Sequence, residues 1–217
     1  MERAGGALDE LVARYPVLAG CRADLEAAFA LLARTFAAGG KLLVCGNGGS
    51  AADADHIVGE LMKGFRRPRR PSGATAERLR AADPELGPRL AARLQLGLPA
   101  INLAGGSALS TAFANDEDPG LVFAQAVLGL GRPGDTLLGI STSGGAANVI
   151  AALVTARAVG MATVGLTGAS GGLMRGRCDV LVAVPGTRTF EVQELHLPVY
   201  HCLCAMLEDR FFEDLPR

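Results

Sequence analysis

The feature that most constrains the fold of this chain is a repeated alternation between short apolar runs and turns rich in Gly and Ser. After residue 40 the runs are, in order, LLVC, AINLA, TLLGI, TVGLT and VLVAV, and they alternate with segments of helical length. Apolar runs of roughly four to six residues bounded by Gly are typical of strands in a parallel sheet that is covered on both faces. The pattern therefore predicts a doubly wound α/β fold with a parallel, five-stranded sheet.

The first 40 residues have a different pattern, in which apolar residues recur at helical spacing. Gly39 and Gly40 end this pattern and predict a C-cap. A chain of 217 residues, 49% of them hydrophobic, is long and apolar enough for one domain with a full core. We therefore expect a single domain over residues 1–217, with N-terminal helices in residues 1–40 and a long C-terminal helix.

Charge and composition argue against several classes of partner. The formal net charge of -1 lacks the basic surplus of a nucleic-acid-binding protein. The stretch MERAGGALDELVARYP lacks the apolar region of a secretory signal, and the uncharged residues 136–156 contain STSGG and an Asn, which indicate strand, loop and helix instead of a membrane span. The five Cys form neither CxxC nor a Cys/His zinc pattern. We expect a cytoplasmic protein with reduced thiols and with no nucleic-acid or membrane partner.

Residues 66–97 interrupt the alternation. They begin with RRPRRP and continue as a polar helical stretch that Pro84 and Pro88 break. We interpret this segment as a surface excursion, an insertion whose Arg cluster forms a solvated loop. Contact of the Arg cluster with a substrate phosphate or with an acidic subunit face is the alternative.

Two of the strand-to-helix turns resemble each other. KLLVCGNGGSAAD (41–53) and DTLLGISTSGGAAN (135–148) each place Ser beside two Gly at the end of a strand and the start of a helix. Free backbone N–H groups and the helix dipole favour an anion at such a position. Either turn alone is also compatible with an ordinary connection between strand and helix. Together they predict one anion held from two sides.

The first of these turns also satisfies the dinucleotide-binding pattern, through GNGGSA. That interpretation requires an acidic residue about 20 positions further on to bind the ribose. Here that position falls in RRPRRP, and the second turn adds Ser and Thr hydroxyls. Both observations favour a smaller phosphate ester over a dinucleotide.

The histidines lie in two segments that carry other candidate ligands. His56 and Glu60 are four residues apart on the helix that follows the first Gly turn, so they share a face. Gln193 and His201 are eight residues apart, about 80° around a helix, with His196 between them. Imidazole, carboxylate and amide oxygens together bind a divalent ion such as Zn²⁺. A helix-surface pair is the alternative for His56 and Glu60, and spacing alone does not show that the two segments meet.

Five stretches of the chain then match one known family in their order. CGNGGSAADADHIVGEL, FANDEDP, ISTSGGAANV, GLTGASGG and VPGTRTFEVQELHLPVYHCLC resemble the sugar isomerase (SIS) domain, and specifically the phosphoheptose isomerases. The resemblance covers nearly the whole chain apart from residues 66–97. It implies the SIS fold and a cytoplasmic, homotetrameric aldose/ketose isomerase that converts sedoheptulose 7-phosphate to D-glycero-D-manno-heptose 7-phosphate through an ene-diol.

The resemblance also assigns roles to residues at matching positions of this sequence. It implies one Zn²⁺ per subunit, held by His56, Glu60, Gln193 and His201, and it makes Glu60 and His201 the catalytic acid/base candidates. The implied substrate-binding residues are Asn47, Gly48, Gly49, Ser50, Glu60, Asn115, Asp116, Ser141, Thr142, Ser143 and Gln193. If Glu60 and His201 both bind the metal, neither is a free base, so metal displacement by substrate, His196 or a water molecule enters as an alternative.

The chain departs from the family pattern in its second turn, where Ala146 stands in place of a Ser. The lost hydroxyl predicts weaker or differently oriented phosphate binding, and the segment 66–97 lies close to the expected mouth of the site. Both departures keep open an isomerase of another seven- or eight-carbon sugar phosphate in specialised biosynthesis. A non-catalytic SIS binding module, of the type associated with the bacterial replication initiator, is the alternative from another class. A dinucleotide oxidoreductase is the weakest interpretation.

Overall fold

The computed structural model describes residues 4–213 and contains one parallel sheet. Its strand order is β2-β1-β3-β4-β5, and every neighbouring pair is parallel. The prediction of a doubly wound α/β fold with five parallel strands is confirmed. The strands are β1 Leu42–Gly46, β2 Ala100–Asn102, β3 Thr136–Ser141, β4 Ala162–Thr167 and β5 Val180–Ala183.

The helices confirm the predicted N-terminal helical segment and the long C-terminal helix. Gly39 follows the second helix with a φ of 79°, so the predicted C-cap is also confirmed. No helix within residues 4–213 is long and apolar enough to cross a membrane. The α-helices in this part of the chain are α1 Ala4–Arg14, α2 Arg22–Ala37, α3 Gly49–Met62, α4 Gly73–Ala82, α5 Gly87–Arg93, α6 Ser107–Asp116, α7 Val122–Leu130, α8 Ala147–Ala158 and α9 Thr189–Phe212.

Both faces of the sheet are covered, which explains why its strands are apolar at consecutive positions. In β1, Leu42 and Val44 point to the layer that contains α1, α2, α3 and α9, and Leu43 and Cys45 point to the layer of α7 and α8. Alternate side chains of a strand lie on opposite faces, so a strand buried on both faces needs no polar alternation.

The strand order places a crevice between the carboxyl ends of β1 and β3. The chain passes from β1 to β2 on one side and then crosses to β3 on the other side, so the loops after β1 and β3 leave the sheet in opposite directions. Open α/β sheets bind their ligands at such a switch point. The two Gly-rich turns predicted to hold an anion are the loops that border this crevice.

The segment 66–97 leaves the core and returns to it at one place. The amide of Leu98 donates to the carbonyl of Leu61 over 2.9 Å, so the residues that flank the segment are neighbours. Between them the chain forms α4 and α5, where the sequence predicted a polar helical stretch interrupted by Pro84 and Pro88.

The prediction of a solvated Arg loop is wrong at Arg69. Its side chain is fully buried, and its Nε donates to Glu208 Oε1 over 2.8 Å. Its guanidinium also donates to the carbonyls of Leu61 and Glu60, at 2.7 and 3.1 Å. Arg69 therefore ties the segment to the end of α3 and to α9. The sequence pattern missed this because the partner carboxylate lies 139 residues away.

Candidate active site

The loop after β1 brings Asn47, Gly48, Gly49 and Ser50 to the crevice. Gly48 has a φ of 52°, a conformation that favours Gly, and α3 begins at the next residue. The side chain of Ser50 is buried in the first turn of α3. The start of α3 at this loop is the kind of helix N-terminus that favours an anion.

The loop after β3 supplies the opposite wall. Ser141 ends the strand, and Thr142 and Ser143 precede the start of α8. The residue before α8 is Ala146, which offers no side-chain cap to the helix N-terminus. In the first turn of α8 the amide of Val149 donates to Asn148 Oδ1 over 3.0 Å, and a bound anion would supply an acceptor for the N–H groups that precede it.

A pair of amides holds the two loops together. Asn47 and Asn148 exchange two hydrogen bonds, each of 2.9 Å, between their side chains. The sequence analysis selected Asn47 but missed Asn148, whose signal was its place in the first turn of α8. The two loops thus meet as predicted.

Two further expected substrate contacts, Asn115 and Asp116, are not bonded to this pair of amides in the part of the chain that the structure describes. Asn115 and Asp116 are exposed at the end of α6, and the amide of Asn115 donates to Asp116 over 2.9 Å. Within residues 4–213 no hydrogen bond joins either side chain to the Gly loops.

His56, Glu60 and His201 are brought together by α3 and α9. His56 Nε2 lies 3.3 Å from Glu60 Oε1 and 3.3 Å from His201 Nε2. The two segments that carry the histidines therefore meet, which spacing alone could not establish. Burial and the neighbouring His56 both lower the pKa of His201, burial being the larger cause. His201 is thus biased toward the neutral imidazole, the form that accepts a proton or binds a metal.

The same three side chains have the donor types and spacings of zinc ligands. Ligands about 2.0–2.1 Å from a tetrahedral zinc ion lie about 3.3 Å from each other, which matches both measured contacts. Glu60 Oε2 is buried without a hydrogen-bond partner in the described chain, although Lys63 Nζ lies 3.6 Å away. No three His, Cys, Asp or Glu side chains among residues 4–213 form a complete metal-holding group as they stand. The donor types and the two pairwise spacings fit zinc, but the side chains as they stand among the described residues do not form a group of three or more that surrounds one ion.

Gln193, the fourth expected ligand, lies beside the first Gly loop. A Cβ placed on Gly49 would come within 2.1 Å of Gln193 Nε2. Gly49 is thus required for the close approach of α9 to the start of α3. The structure brings His56, Glu60 and His201 into contact and places Gln193 about two turns earlier on α9, against the predicted anion loop.

Two further side chains support His56, and the sequence analysis missed both. The hydroxyl of Tyr200 lies 3.0 Å from His56 Nδ1 and 3.3 Å from Asp53 Oδ1. Burial is the largest cause that raises the pKa of Tyr200, and it also raises the pKa of Asp53 against the lowering effects of Tyr200 and His56. Asp53 shares a face of α3 with His56 at a spacing of three residues, a signal that was available.

A cavity of about 530 Å³ opens beside His201. It lies between α1 and α9, and Arg14, Phe65 and Arg66 contribute to its walls. His201 therefore faces accessible space and is not sealed in the core.

His196 is separate from these groups. It is fully buried, no contact joins it to His56, Glu60 or His201 in the described residues, and neither ring nitrogen has a hydrogen-bond partner of ordinary geometry there. Burial lowers the pKa of His196 to about 4, and a weaker contact with the Thr167 backbone opposes this only in part. These observations do not favour His196 as the proton carrier.

The buried, neutral state of His196 predicts a pH dependence of stability. The unfolded chain binds the proton near pH 6.5 and the folded chain only near pH 4, so the unfolded state holds more protons between these values. The free energy of unfolding should be fully retained above pH 6.5 and fall by roughly 3 kcal/mol toward pH 4. Urea unfolding across this range should show a shallower fall for His196→Leu. Equal falls in both proteins would contradict the assignment.

The chain is similar to known proteins in both sequence and structure. The SIS domain family model matches residues 16–81 and 72–168 of the chain. A phosphoheptose isomerase of Roseiflexus sp. (strain RS-1) is 46% identical over 180 residues, which cover 83% of this chain and 78% of the relative. A phosphoheptose isomerase of Rhodospirillum rubrum is 36% identical over 192 residues, 88% of each chain.

Solved structures give the same result for the fold. The phosphoheptose isomerase of Neisseria gonorrhoeae has a TM-score of 0.69 and 31% identity, over 95% of this chain and 92% of that chain. The phosphoheptose isomerase of Francisella tularensis has a TM-score of 0.69 and 30% identity, over 96% and 94%. The structural similarity therefore extends over nearly the whole chain.

Proposed function

The chain belongs to the SIS-domain family and, within it, to the phosphoheptose isomerases, and from this premise we propose that it interconverts sedoheptulose 7-phosphate and D-glycero-D-manno-heptose 7-phosphate. The observation that carries the proposal is the contact of His56 with Glu60 and His201, each over 3.3 Å, on helices that border the crevice of the two Gly loops. A carboxylate and imidazoles beside an anion site are the groups that an aldose/ketose isomerisation needs.

The phosphate end of the substrate is assigned to the two loops. Ser50, Ser141, Thr142 and Ser143 supply hydroxyls, and the first turns of α3 and α8 supply backbone N–H groups. Asn47, Gly48 and Gly49, with Asn115, Asp116 and Gln193, complete the proposed contacts to the sugar. Binding at the phosphate fixes the position of the distant carbonyl carbon, which reduces the entropy cost of proton transfer.

The proton transfer is assigned to Glu60 and His201. Isomerisation moves a proton between C1 and C2 through an ene-diol, so one group must remove and return the proton while another stabilises the oxygen. Glu60 Oε1 faces His56, but Oε2 is buried and has no hydrogen-bond partner among the described residues. One oxygen of Glu60 is therefore engaged at the histidines, while the other accepts no hydrogen bond among the described residues and has Lys63 Nζ 3.6 Å away; we assign proton transfer to this carboxylate. His201 exchanges a proton with the substrate oxygen.

We also propose that His56, Glu60, Gln193 and His201 hold one Zn²⁺ per subunit, and that Glu60 and His201 carry the proton only when the substrate displaces them from the metal. The bound ion would supply positive charge beside the developing oxyanion. Support comes from the two spacings of 3.3 Å and from the donor types. A chelator should abolish the activity, and added Zn²⁺ should restore it. Full activity in metal-free protein would contradict this assignment.

The remaining proposals are a single domain over residues 1–217, a homotetramer and a cytoplasmic location. Leu128, Leu130 and Val154 on α7 and α8 expose apolar side chains that a partner subunit would cover. All five cysteines are free thiols in the structure, as expected in a reducing compartment. Sedimentation of the purified protein tests the tetramer.

The activity itself is tested by incubating the purified protein with sedoheptulose 7-phosphate and following the products by NMR. We expect the aldoheptose phosphate to appear. A parallel panel of other seven- and eight-carbon sugar phosphates addresses the second candidate, which Ala146 and the segment 66–97 favour. Turnover of another member alone would replace the proposed substrate. No turnover and no metal, with capture of a protein partner, would instead support a non-catalytic module.

Gly49→Ala is expected to lower kcat/KM by about 10- to 100-fold. The added methyl group would displace the amide of Gln193, which lies 2.1 Å from the Cβ position. The backbone at Gly49 is not in the left-handed region, so the fold should be retained.

Gly59→Ala is the matched control for this change. It lies in the same helix with no atom within 4 Å of its Cβ position. We expect it to keep activity and to raise the free energy of unfolding by about 0.5–1 kcal/mol. Equal activity of both variants would contradict a role for the position of Gln193.

A further inference from the structure

Two hydrogen bonds lead from the interior of the α3/α9 layer to His56. The hydroxyl of Tyr200, a residue only 2% exposed, lies 3.0 Å from His56 Nδ1 and 3.3 Å from Asp53 Oδ1. The other ring nitrogen, Nε2, faces Glu60 Oε1 and His201 Nε2. The two nitrogens of His56 thus face different surroundings, a buried phenol on one side and the proposed reaction site on the other.

The single proton of the Tyr200 hydroxyl gives these hydrogen bonds a direction. A phenol donates one hydrogen bond, and an ionised carboxylate only accepts, so Tyr200 donates to Asp53. Its oxygen then accepts from His56, which places the imidazole proton on Nδ1. The reverse direction would set the lone pairs of Asp53 Oδ1 against those of the phenol at 3.3 Å.

We infer that Tyr200 and Asp53 are positioning residues that hold His56 in the tautomer with a proton on Nδ1 and a lone pair on Nε2, against the opposing preference of the Glu60 carboxylate 3.3 Å from Nε2. This inference deepens the proposed function and rests on its metal site. Ligating histidines commonly donate their second ring N–H to a carboxylate or carbonyl, which fixes the ring and raises its basicity. Here the phenol of Tyr200 stands between the carboxylate and the imidazole.

Two neighbouring residues of α9 contact opposite sides of the His56 ring. His201 presents Nε2 to His56 Nε2, while Tyr200 contacts the opposite nitrogen of the same ring. The rings of His56 and Tyr200 meet edge to face, with centroids 5.4 Å apart. Packing of the ring would survive in Tyr200→Phe, so this variant isolates the hydroxyl.

The first measurement is the affinity of metal-free protein for Zn²⁺, by competition with a chromophoric chelator. We expect Tyr200→Phe to bind Zn²⁺ about 10- to 100-fold more weakly than the wild type. Tyr15→Phe changes the only other Tyr of the chain and should leave the affinity unchanged. Equal affinities for Tyr200→Phe and Tyr15→Phe would overturn the inference.

A second variant tests whether Asp53 acts through Tyr200. Asp53→Asn keeps an oxygen that can accept from the phenol, so we expect a smaller loss of affinity than in Tyr200→Phe. In the double variant, Asp53→Asn should add no further loss, because the hydroxyl through which it acts is already absent. An additive loss would overturn the coupling.

The tautomer itself is measured by ¹⁵N–¹H correlation of the imidazoles in metal-free protein. We expect His56 to carry its proton on Nδ1 in the wild type and to show a mixture of tautomers in Tyr200→Phe. A wild-type proton on Nε2 would overturn the inference, whether or not Zn²⁺ binds. Neither measurement uses substrate, so absence of isomerase turnover contradicts the proposed function and leaves this inference to its own result.

Discussion

Glu60→Gln is expected to lower kcat for the heptose phosphate isomerisation by about 10²- to 10⁴-fold, with the fold retained. The amide keeps the size of the side chain but cannot remove a proton from carbon. Only 14% of the Glu60 side chain is exposed, and its Oε2 is buried without a hydrogen-bond partner among the described residues. The measurement is steady-state turnover of sedoheptulose 7-phosphate, with circular dichroism to verify the fold.

His201→Ala provides the second arm of this experiment and should cause a comparable loss, because it removes the proposed partner acid. Glu77→Gln, at an exposed position of α4, is the matched control and should retain wild-type kcat. Full activity of either Glu60→Gln or His201→Ala would refute the proposed mechanism, even if the substrate assignment holds.

The second large effect is expected on stability, at the buried ion pair of Arg69 and Glu208. Removing one member of such a pair costs about 3–5 kcal/mol, because the other charge stays buried without its partner. Both side chains are fully buried, so solvent does not screen the interaction. Urea unfolding of Arg69→Met and of Glu208→Leu should therefore show a loss of this size in the free energy of unfolding.

Glu208→Leu should be the more damaging of the two. Glu208 also accepts the backbone N–H groups of Phe65 and Arg66, at 2.9 and 2.8 Å, and these donors lose their acceptor in the variant. In Arg69→Met the carboxylate keeps both. The control Arg22→Met breaks an exposed ion pair with Asp9 and should change stability far less. A loss in Arg69→Met no larger than in Arg22→Met would contradict the role of burial.

The fold was predictable because each strand carries its own signal. The run LLVC is apolar at every position because β1 is buried on both faces, and this local property is visible in the sequence. The Gly and Ser residues after β1 and β3 likewise mark the loops of the crevice, since Gly48 and Gly144 adopt conformations that few other residues reach. Strand order was not predicted, because it depends on which strands pair across long separations.

The candidate site was predictable only where its residues share a helix. His56 and Glu60 are related by helical spacing, so their proximity could be derived, whereas the contact of His56 with His201 required the structure or a family resemblance. Tyr200 was not singled out, because nothing in its neighbourhood in sequence indicated Asp53 as a partner. Arg69 was misread for the same reason, since a charged run in sequence gives no sign of a buried carboxylate far along the chain.

The residues that flank the segment 66–97 are neighbours in space, and this has an evolutionary consequence. Because Leu98 returns to Leu61, the helices α4 and α5 can be lengthened, shortened or exchanged without moving α3 or β2. We therefore expect new lengths and sequences to be tolerated there as long as the contacts of Arg66, Arg67 and Arg69 with α9 are kept. The segment can therefore be exchanged as a unit. Chimaeras that swap the residues after Arg69 between relatives would show how much of the functional difference between family members lies outside the shared core.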